Sequence, residues 1–398
     1  MNILTINAGS SSLKFQLIDA ETGNPIAKGL AERVGTPNTI LTFKAIDGEN
    51  ENKIVISKEG NHEESISRIL KLLVDPEFGV ISDLQEIDAI GHRVVHGGEK
   101  YNGSMLIDDT VIDGVRSCNV LAPLHNPACL LGIHACRKLM PDKPEVAVFD
   151  TAFHQTMKPE QYLYPIELEL YKKHGVRKYG FHGISHSFLA ESTKELIGDK
   201  EFKSIQFHLG QGSSLTAVKD GKSIDTTMGL SPLAGIIMGT RSGDIDPAIV
   251  SFLASAENIH HDEVIDRLNK KSGMKALSGV SEDFRDILAA ADAGNEQAQI
   301  SLQMFYNNVA QYAAKFVVTL QGVKQFVFAG GIGENAPRIR AEICKRLGLI
   351  GVELDEELNN KAIGRKMKIS SDNSKVDVFV IPTNEELMIA KEVMRKIQ

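Results

Sequence analysis

Residues 3–17 read ILTINAGSSSLKFQL: an apolar strand, a tight Gly-Ser turn, and a second strand alternating Leu13, Phe15 and Leu17. Small residues in such a turn leave backbone N–H groups free to face an anion. Lys14 follows the turn and adds positive charge. A hairpin of this kind can equally be no more than a turn. The constraint comes from its second copy. Residues 209–218 read LGQGSSLTAV, and Ser11-Ser12-Leu13 returns as Ser213-Ser214-Leu215. Each copy follows a short apolar strand, 3–6 and 205–209. Each leads into another strand and a turn, near Thr22-Gly23 and Asp220-Gly221. Two related halves, each offering a Gly-Ser turn to a shared cleft, are suited to holding a polyphosphate.

The bulk numbers permit this. A chain of 398 residues is long enough for two domains with separate cores. Net charge is −8 with no strongly basic block, which argues against a nucleic-acid partner. The cysteines, Cys118, Cys129, Cys136 and Cys344, form no C-x-x-C pair, so neither a zinc ribbon nor a redox motif is expected. Few cysteines in a long chain fit a reducing, cytoplasmic compartment. The N-terminus enters a strand directly and no apolar run is long enough to span a bilayer, so neither a signal peptide nor membrane attachment is expected.

In chain order, strands are predicted at 3–6, 13–18, 26–34, 39–43 and 53–56. A helix follows at 65–74, with Ile66, Ile69, Leu70 and Leu73 on one face, then a buried strand at 87–95. Hairpin strands followed by alternating helix and strand mark an α/β fold. Arg93 lies in that strand before Gly97-Gly98. It either pairs with a buried carboxylate or grips an anionic substrate in its fork. The loop LAPLHNP (121–127) precedes a helix at 128–139. Strand 146–150 ends on Asp150, which is either a turn residue or a metal-binding or catalytic carboxylate at a strand's C-terminal end. In YGFHGISH (179–186), His182 and His186 are four apart. Gly183 disfavours the helix a shared metal would need, so a single histidine donating to phosphate fits better.

Residues 225–247 form a long glycine-rich loop around Arg241, either functional or a surface loop with a solvated Arg–Asp pair. Helices are predicted at 262–271, 284–291 and 296–320. Strand 325–329 runs into GGIGENAP, with a helix from Pro337. GIGENA fits G-x-G-x-x-A, but Glu334 would oppose a pyrophosphate and too few βα units follow, so a turn making room for a nucleoside is the better reading. There is no Walker A: Gly221-Lys222-Ser223 has its tail, but position 216 is Thr. Strand 376–381 leads to a final helix, with Glu385 and Glu386 in its first turn as dipole-favoured acids.

Taken together, NAGSSSLKF, GHRVVHGGEKY, APLHNPA, VAVFDTAFHQTM, YGFHGISH, MGTRSGDIDPAI, GGIGENA and PTNEELMIA occur in an order, and over a length, that resemble the acetate kinases throughout. The resemblance implies an actin-like ATPase fold of duplicated ribonuclease-H-like α/β domains closing on an ATP cleft. The first domain would be 1–150 with the helix 385–398, and the second 151–384. It implies a homodimer that reversibly transfers the γ-phosphoryl group of ATP to acetate. Mg²⁺ would be required, with Mn²⁺ as an alternative, and held at Asn7 and Glu385, with Lys14 near the phosphates. Arg93 matches the residue binding the acetate carboxylate, and Val95, Leu124, Phe181 and Pro232 match the methyl pocket. Asp150 matches the catalytic acid, and His182 with Arg241 the pair stabilising the transition state. His208, Leu209, Gly210, Gln211 and Gly212 match nucleotide contacts. Asp283, Phe284 and Arg285, with Gly331, Ile332, Gly333, Glu334 and Asn335, match those around the adenosine.

Two positions depart from the family pattern: Gln211 stands where Asn is usual, and Ile184 where Thr is usual. The longer amide of Gln211 is expected to shift a phosphate contact. A propionate kinase shares nearly all these motifs. Val95 favours the smaller acid, but one methylene is worth only about 1–3 kcal/mol, so use of both acids is expected. An idle, actin-like nucleotide binder would have lost the acyl-site residues, and Arg93, Asp150, His182 and Arg241 are all present.

Overall fold

A computed structural model gives the fold and describes residues 1–46, 51–55 and 60–398. Ile56, the last residue of a predicted strand, lies outside the described residues. The chain divides into two compact units, Met1–Phe153 with Asn384–Gln398, and His154–Thr383.

The first unit carries β1 (Asn2–Ala8), β2 (Ser12–Asp19), β3 (Pro25–Glu32), β4 (Ile40–Ala45), β5 (Glu51–Val55), β6 (Ala89–Val94), β7 (Met105–Leu106) and β8 (Glu145–Phe149). They form one sheet in the order β5-β4-β3-β2-β1-β6-β8-β7. The second unit carries β9 (Lys203–Leu209), β10 (Ser213–Lys219), β11 (Lys222–Thr226), β12 (Gln325–Ala329), β13 (Met367–Lys368) and β14 (Asp377–Val380), in the order β11-β10-β9-β12-β14-β13. The run β3-β2-β1-β6-β8 matches β11-β10-β9-β12-β14. In both, three antiparallel strands are followed by two parallel to the first, which is the ribonuclease-H-like order. The fold is therefore duplicated. Each sheet ends on one short antiparallel strand, β7 and β13.

The parallel strands are largely buried, polar residues included, because helices cover both faces. Ile205, Phe207 and Leu209 of β9 are fully buried, as are Phe326, Val327 and Phe328 of β12. Phe207 stacks on Phe328 with ring centroids 4.5 Å apart. The helix Glu296–Leu320 covers this core with Leu302, Phe305, Val309 and Phe316. In the first unit the helix His62–Leu73 does the same with Ile66, Ile69 and Leu73, and the Asn61 side chain caps it by accepting from the Glu64 N–H at 2.9 Å.

The final helix, Glu385–Ile397, packs back onto the first sheet. Gly91 of β6 makes that approach feasible. A Cβ there would stand 2.6 Å from Ile389 and 2.7 Å from Val393. The packing brings Glu385 into the first unit although 292 residues separate it from Arg93 in sequence.

The repeated Ser-Ser-Leu is not in equivalent register in the two hairpins. Ala8 pairs with Leu13 across the first turn, whereas Leu209 pairs with Ser213 across the second. The hairpins correspond, but the first closes on the last residue of the tripeptide and the second on its first.

Candidate active site

In the first unit the site residues stand at the C-terminal ends of neighbouring strands. Asn7 of β1 pairs in register with Lys14 of β2. β6 lies parallel to β1, with Ile6 opposite His92, so Arg93 falls beside Asn7. Asp150 directly follows β8, and its N–H donates to the Val94 carbonyl at 2.9 Å. Arg93 Nη2 donates to Asp150 Oδ2 at 3.1 Å, and Nη1 to Asn7 Oδ1 at 3.4 Å. The first sequence reading of Arg93, pairing with a buried carboxylate, is what the geometry shows. Asp150 is itself buried, and the buried Arg93 Nε has no hydrogen-bond partner among the described residues. Burial works against the Arg93 charge, but Asp150 and Glu385 outweigh it and hold the guanidinium above its usual range.

Glu385 and Glu386 open the final helix, capped by Asn384, whose side chain accepts from the Leu387 N–H at 3.0 Å. Glu386 pairs with Lys14. Burial pushes the Glu385 carboxyl up to about 7; Arg93 opposes the shift, while Asp150 and Glu386 add to it. Three carboxylates with an asparagine oxygen, only partly offset by Arg93 and Lys14, suit a hard divalent cation with oxygen ligands. Asn7 and Glu385 fit that role. Val95 is buried beside this group in sequence, whereas Leu124 is exposed.

The second unit assembles the remaining residues around the β9–β10 turn. A Cβ on Gly212 would stand 3.2 Å from Arg241 Nη1 and 3.3 Å from His182 Nε2, so both cationic or donor groups converge on this turn. Arg241 makes no ion pair among the described residues; Nη1 donates to the Pro232 carbonyl at 3.2 Å. Burial alone pushes its guanidinium below the usual range. The loop around Arg241 is therefore not a solvated Arg–Asp surface. It is pinned by backbone bonds from Ser272 N–H to Thr240 O (2.9 Å), Met274 N–H to Met238 O (2.9 Å) and Ser242 N–H to Leu268 O (3.0 Å). Gln211 belongs to the same brace. Its carbonyl accepts from the Gly239 N–H at 3.2 Å, and its side-chain oxygen lies where a Cβ on Gly239 would stand 2.5 Å away.

His182 is the N-cap of the helix Gly183–Ile197 and holds a left-handed φ of 57°, an uncommon conformation for histidine. Its ring stacks on His208 at 4.3 Å. The helix that Gly183 was expected to disfavour does form, starting at Gly183 itself. His182 and His186 both reach the Ser214 hydroxyl. Phe181, whose carbonyl lies 2.9 Å from His154 Nε2, and Pro232 sit in this unit. The four expected methyl-pocket residues are thus divided two and two between the units.

The second group of residues matched to the adenosine follows β12. Gly331, Ile332, Gly333, Glu334 and Asn335 form a short helix, Gly330–Asn335. Gly330 has a φ of +75°, and a Cβ there would stand 2.6 Å from the Leu209 carbonyl, so this helix starts against the end of β9. The Glu334 carboxylate accepts from the Gly330 N–H (2.8 Å) and the Thr383 N–H (3.1 Å), so its charge is used internally. Asp283 caps the helix Phe284–Asp292 and binds Arg285, which is exposed; the Phe284 side chain is core, packed against Phe305. Sequence reasoning missed Arg340. It is fully buried, and its Nη1 donates to the carbonyls of Gly333 (2.8 Å) and Glu334 (3.0 Å), fixing the glycine helix from beneath. Only the tertiary contact reveals this; an arginine on an exposed-looking helix gives no signal.

A model of the acetokinase family matches residues 2–391. The acetate kinase of Desulfitobacterium hafniense (strain DSM 10664 / DCB-2) is 51% identical over 400 residues, covering 100% of both chains. The crystal structure of Porphyromonas gingivalis acetate kinase matches with a TM-score of 0.95 at 40% identity over 100% of both chains. A propionate kinase from Francisella tularensis subsp. tularensis SCHU S4 matches with a TM-score of 0.91 at 41% identity over 98% of both.

Proposed function

The chain belongs to the acetokinase family, and we propose that it transfers the γ-phosphoryl group of ATP to acetate by direct in-line displacement. An acetate oxygen forms the new bond to phosphorus as the bond to the ADP oxygen breaks, giving acetyl phosphate and ADP; the reverse reaction uses the same groups. A carboxylate is already a nucleophile at neutral pH, so no general base is needed. The demand is to bring two anions together and to stabilise charge on three equatorial oxygens.

The observation that carries this reading is Arg241, a half-buried guanidinium with no carboxylate partner among the described residues, converging with His182 on the Gly212 turn. Such a cation is costly to bury unless an anion is to meet it. We assign Arg241 and His182 to the transferred phosphoryl group, and Arg93, through an Nε that has no partner among the described residues, to the acetate carboxylate. Asp150 holds Arg93 in place rather than taking a proton; the 3.1 Å contact supports that role. His208–Gly212 carry the phosphates, with Lys14 beside them, and Gly331–Asn335 with Asp283–Arg285 the adenosine. Asn7 and Glu385 would hold Mg²⁺ or Mn²⁺, which when bound neutralises charge on the phosphate oxygens.

Val95, Leu124, Phe181 and Pro232 take the methyl group. A methylene is worth about 1–3 kcal/mol in such a pocket, and the similarity to a propionate kinase supports use of propionate as well. We place the enzyme in the cytoplasm, as four buried free cysteines suggest, and as a homodimer. The test of the chemistry is Arg241→Ala. Acyl-phosphate formation should fall by about 100-fold or more while ATP binding persists. Wild-type turnover in that variant contradicts the assignment.

A further inference from the structure

The hydroxyl of Ser214, on β10, lies between two imidazoles. Its Oγ is 2.9 Å from His182 Nδ1 and 2.8 Å from His186 Nε2. A hydroxyl has one hydrogen to give, and the two rings are the only side-chain partners of this one among the described residues, so a ring that donates to it leaves the other to accept.

The direction is set at Gln206 on β9. Oriented by the donors and acceptors around it, its amide nitrogen faces the His186 carbonyl at 3.0 Å and His186 Nδ1 at 2.9 Å, and its oxygen accepts from the Ala190 N–H at 3.1 Å. The reverse orientation would set oxygen against oxygen and N–H against N–H. His186 Nδ1 is therefore an acceptor. Burial, with His154 and His208 nearby, keeps the His186 ring neutral, so it carries a single N–H. That hydrogen stands on Nε2 and goes to Ser214 Oγ. Ser214 then gives its own hydrogen to His182 Nδ1. The His182 proton is left on Nε2, the nitrogen that faces the Gly212 turn beside Arg241.

We propose that Gln206, His186 and Ser214 form a relay that fixes His182 as the Nε2–H tautomer and so presents a donor, not a lone pair, to the transferred phosphoryl group. The three are positioning residues; only His182 meets the substrate. The proposal rests on the assignment of His182 to the phosphoryl group. It also gives the second Ser-Ser-Leu a task that the first does not share.

The experiment combines ring nitrogen-15 NMR of the full chain with steady-state kinetics for the wild type, Ser214→Ala and Ser214→Thr. In the wild type the His182 ring should carry hydrogen on Nε2 and none on Nδ1. Ser214→Ala should shift the ring toward Nδ1–H and lower kcat at least about tenfold, with KM for ATP and acetate nearly unchanged. Ser214→Thr, which keeps the hydroxyl, should restore both. A wild-type His182 protonated on Nδ1 overturns the relay, and this needs no variant to fold. So does a Ser214→Ala enzyme with unchanged tautomer and kcat. A wild type that makes no acyl phosphate would instead overturn the functional assignment, with the tautomer still measurable.

Discussion

His96 shows how a single side chain ties this site to acidity. It is fully buried at the end of β6, and its Nδ1 accepts from the Gly98 N–H at 3.0 Å, a bond that protonation there would break. Burial pushes its pKa down to about 4 from an ordinary 6.5. Between those values the unfolded chain binds a proton that the folded chain refuses, so stability falls as pH drops through the window. The loss attributable to His96 is roughly 3 kcal/mol. Urea unfolding at pH 7.5 and pH 4.5 should show a larger drop for the wild type than for His96→Asn by about that amount. Equal drops would remove His96 as the cause. At this scale the sequence is a good guide to identity and a poor one to pairing. Arg93, Asp150, His182 and Arg241 stand out because charged residues among apolar strands and glycine loops need a reason. Arg340 does not stand out, because its partners, the carbonyls of Gly333 and Glu334 and the Asn359 side chain among them, come together only on folding.

Elements were legible where one physical period dominated. The helix His62–Leu73 shows its apolar face every third or fourth residue, and the strands β1 and β9 read as apolar runs. The helix Gly183–Ile197 was hidden because it begins on a left-handed His182 and buries residues on several faces, which blurs the period. The helix Gly330–Asn335 was hidden because its glycines argue for a turn; the Glu334 carboxylate and Arg340 satisfy ends that the local sequence leaves open. The helix Ala248–Glu257, AIVSFLASAE, has the opposite character: it is apolar, yet none of its residues is buried, and Phe252 is 69% exposed. Such an exposed apolar face points to self-association, and we propose it as the interface of the homodimer proposed above. Phe252→Asp should convert a wild-type dimer to a monomer in sedimentation analysis. An unchanged mass would place the interface elsewhere, and a monomeric wild type would remove the dimer altogether.

At the scale of the whole chain, one duplicated fold supplies two sets of groups. The first unit holds carboxylates, an asparagine and Arg93 at its strand ends; the second holds Arg241, His182 and the glycine turns. The paired hairpins hinted at the duplication, but its proof is strand order, which a sequence does not display. The hint was also imperfect, since Ser-Ser-Leu sits out of register in the two turns. No helix among the described residues is long and apolar enough to cross a membrane. The central claim is that these two sets of groups perform acyl-phosphate chemistry. The most direct measurement traps the product as its hydroxamate, with ATP and Mg²⁺, comparing acetate, propionate and butyrate. Product with acetate at the highest kcat/KM, propionate next, is the predicted result, and it would also show that Gln211 is compatible with turnover. No hydroxamate from any acid, in a protein that still binds ATP, would contradict the account.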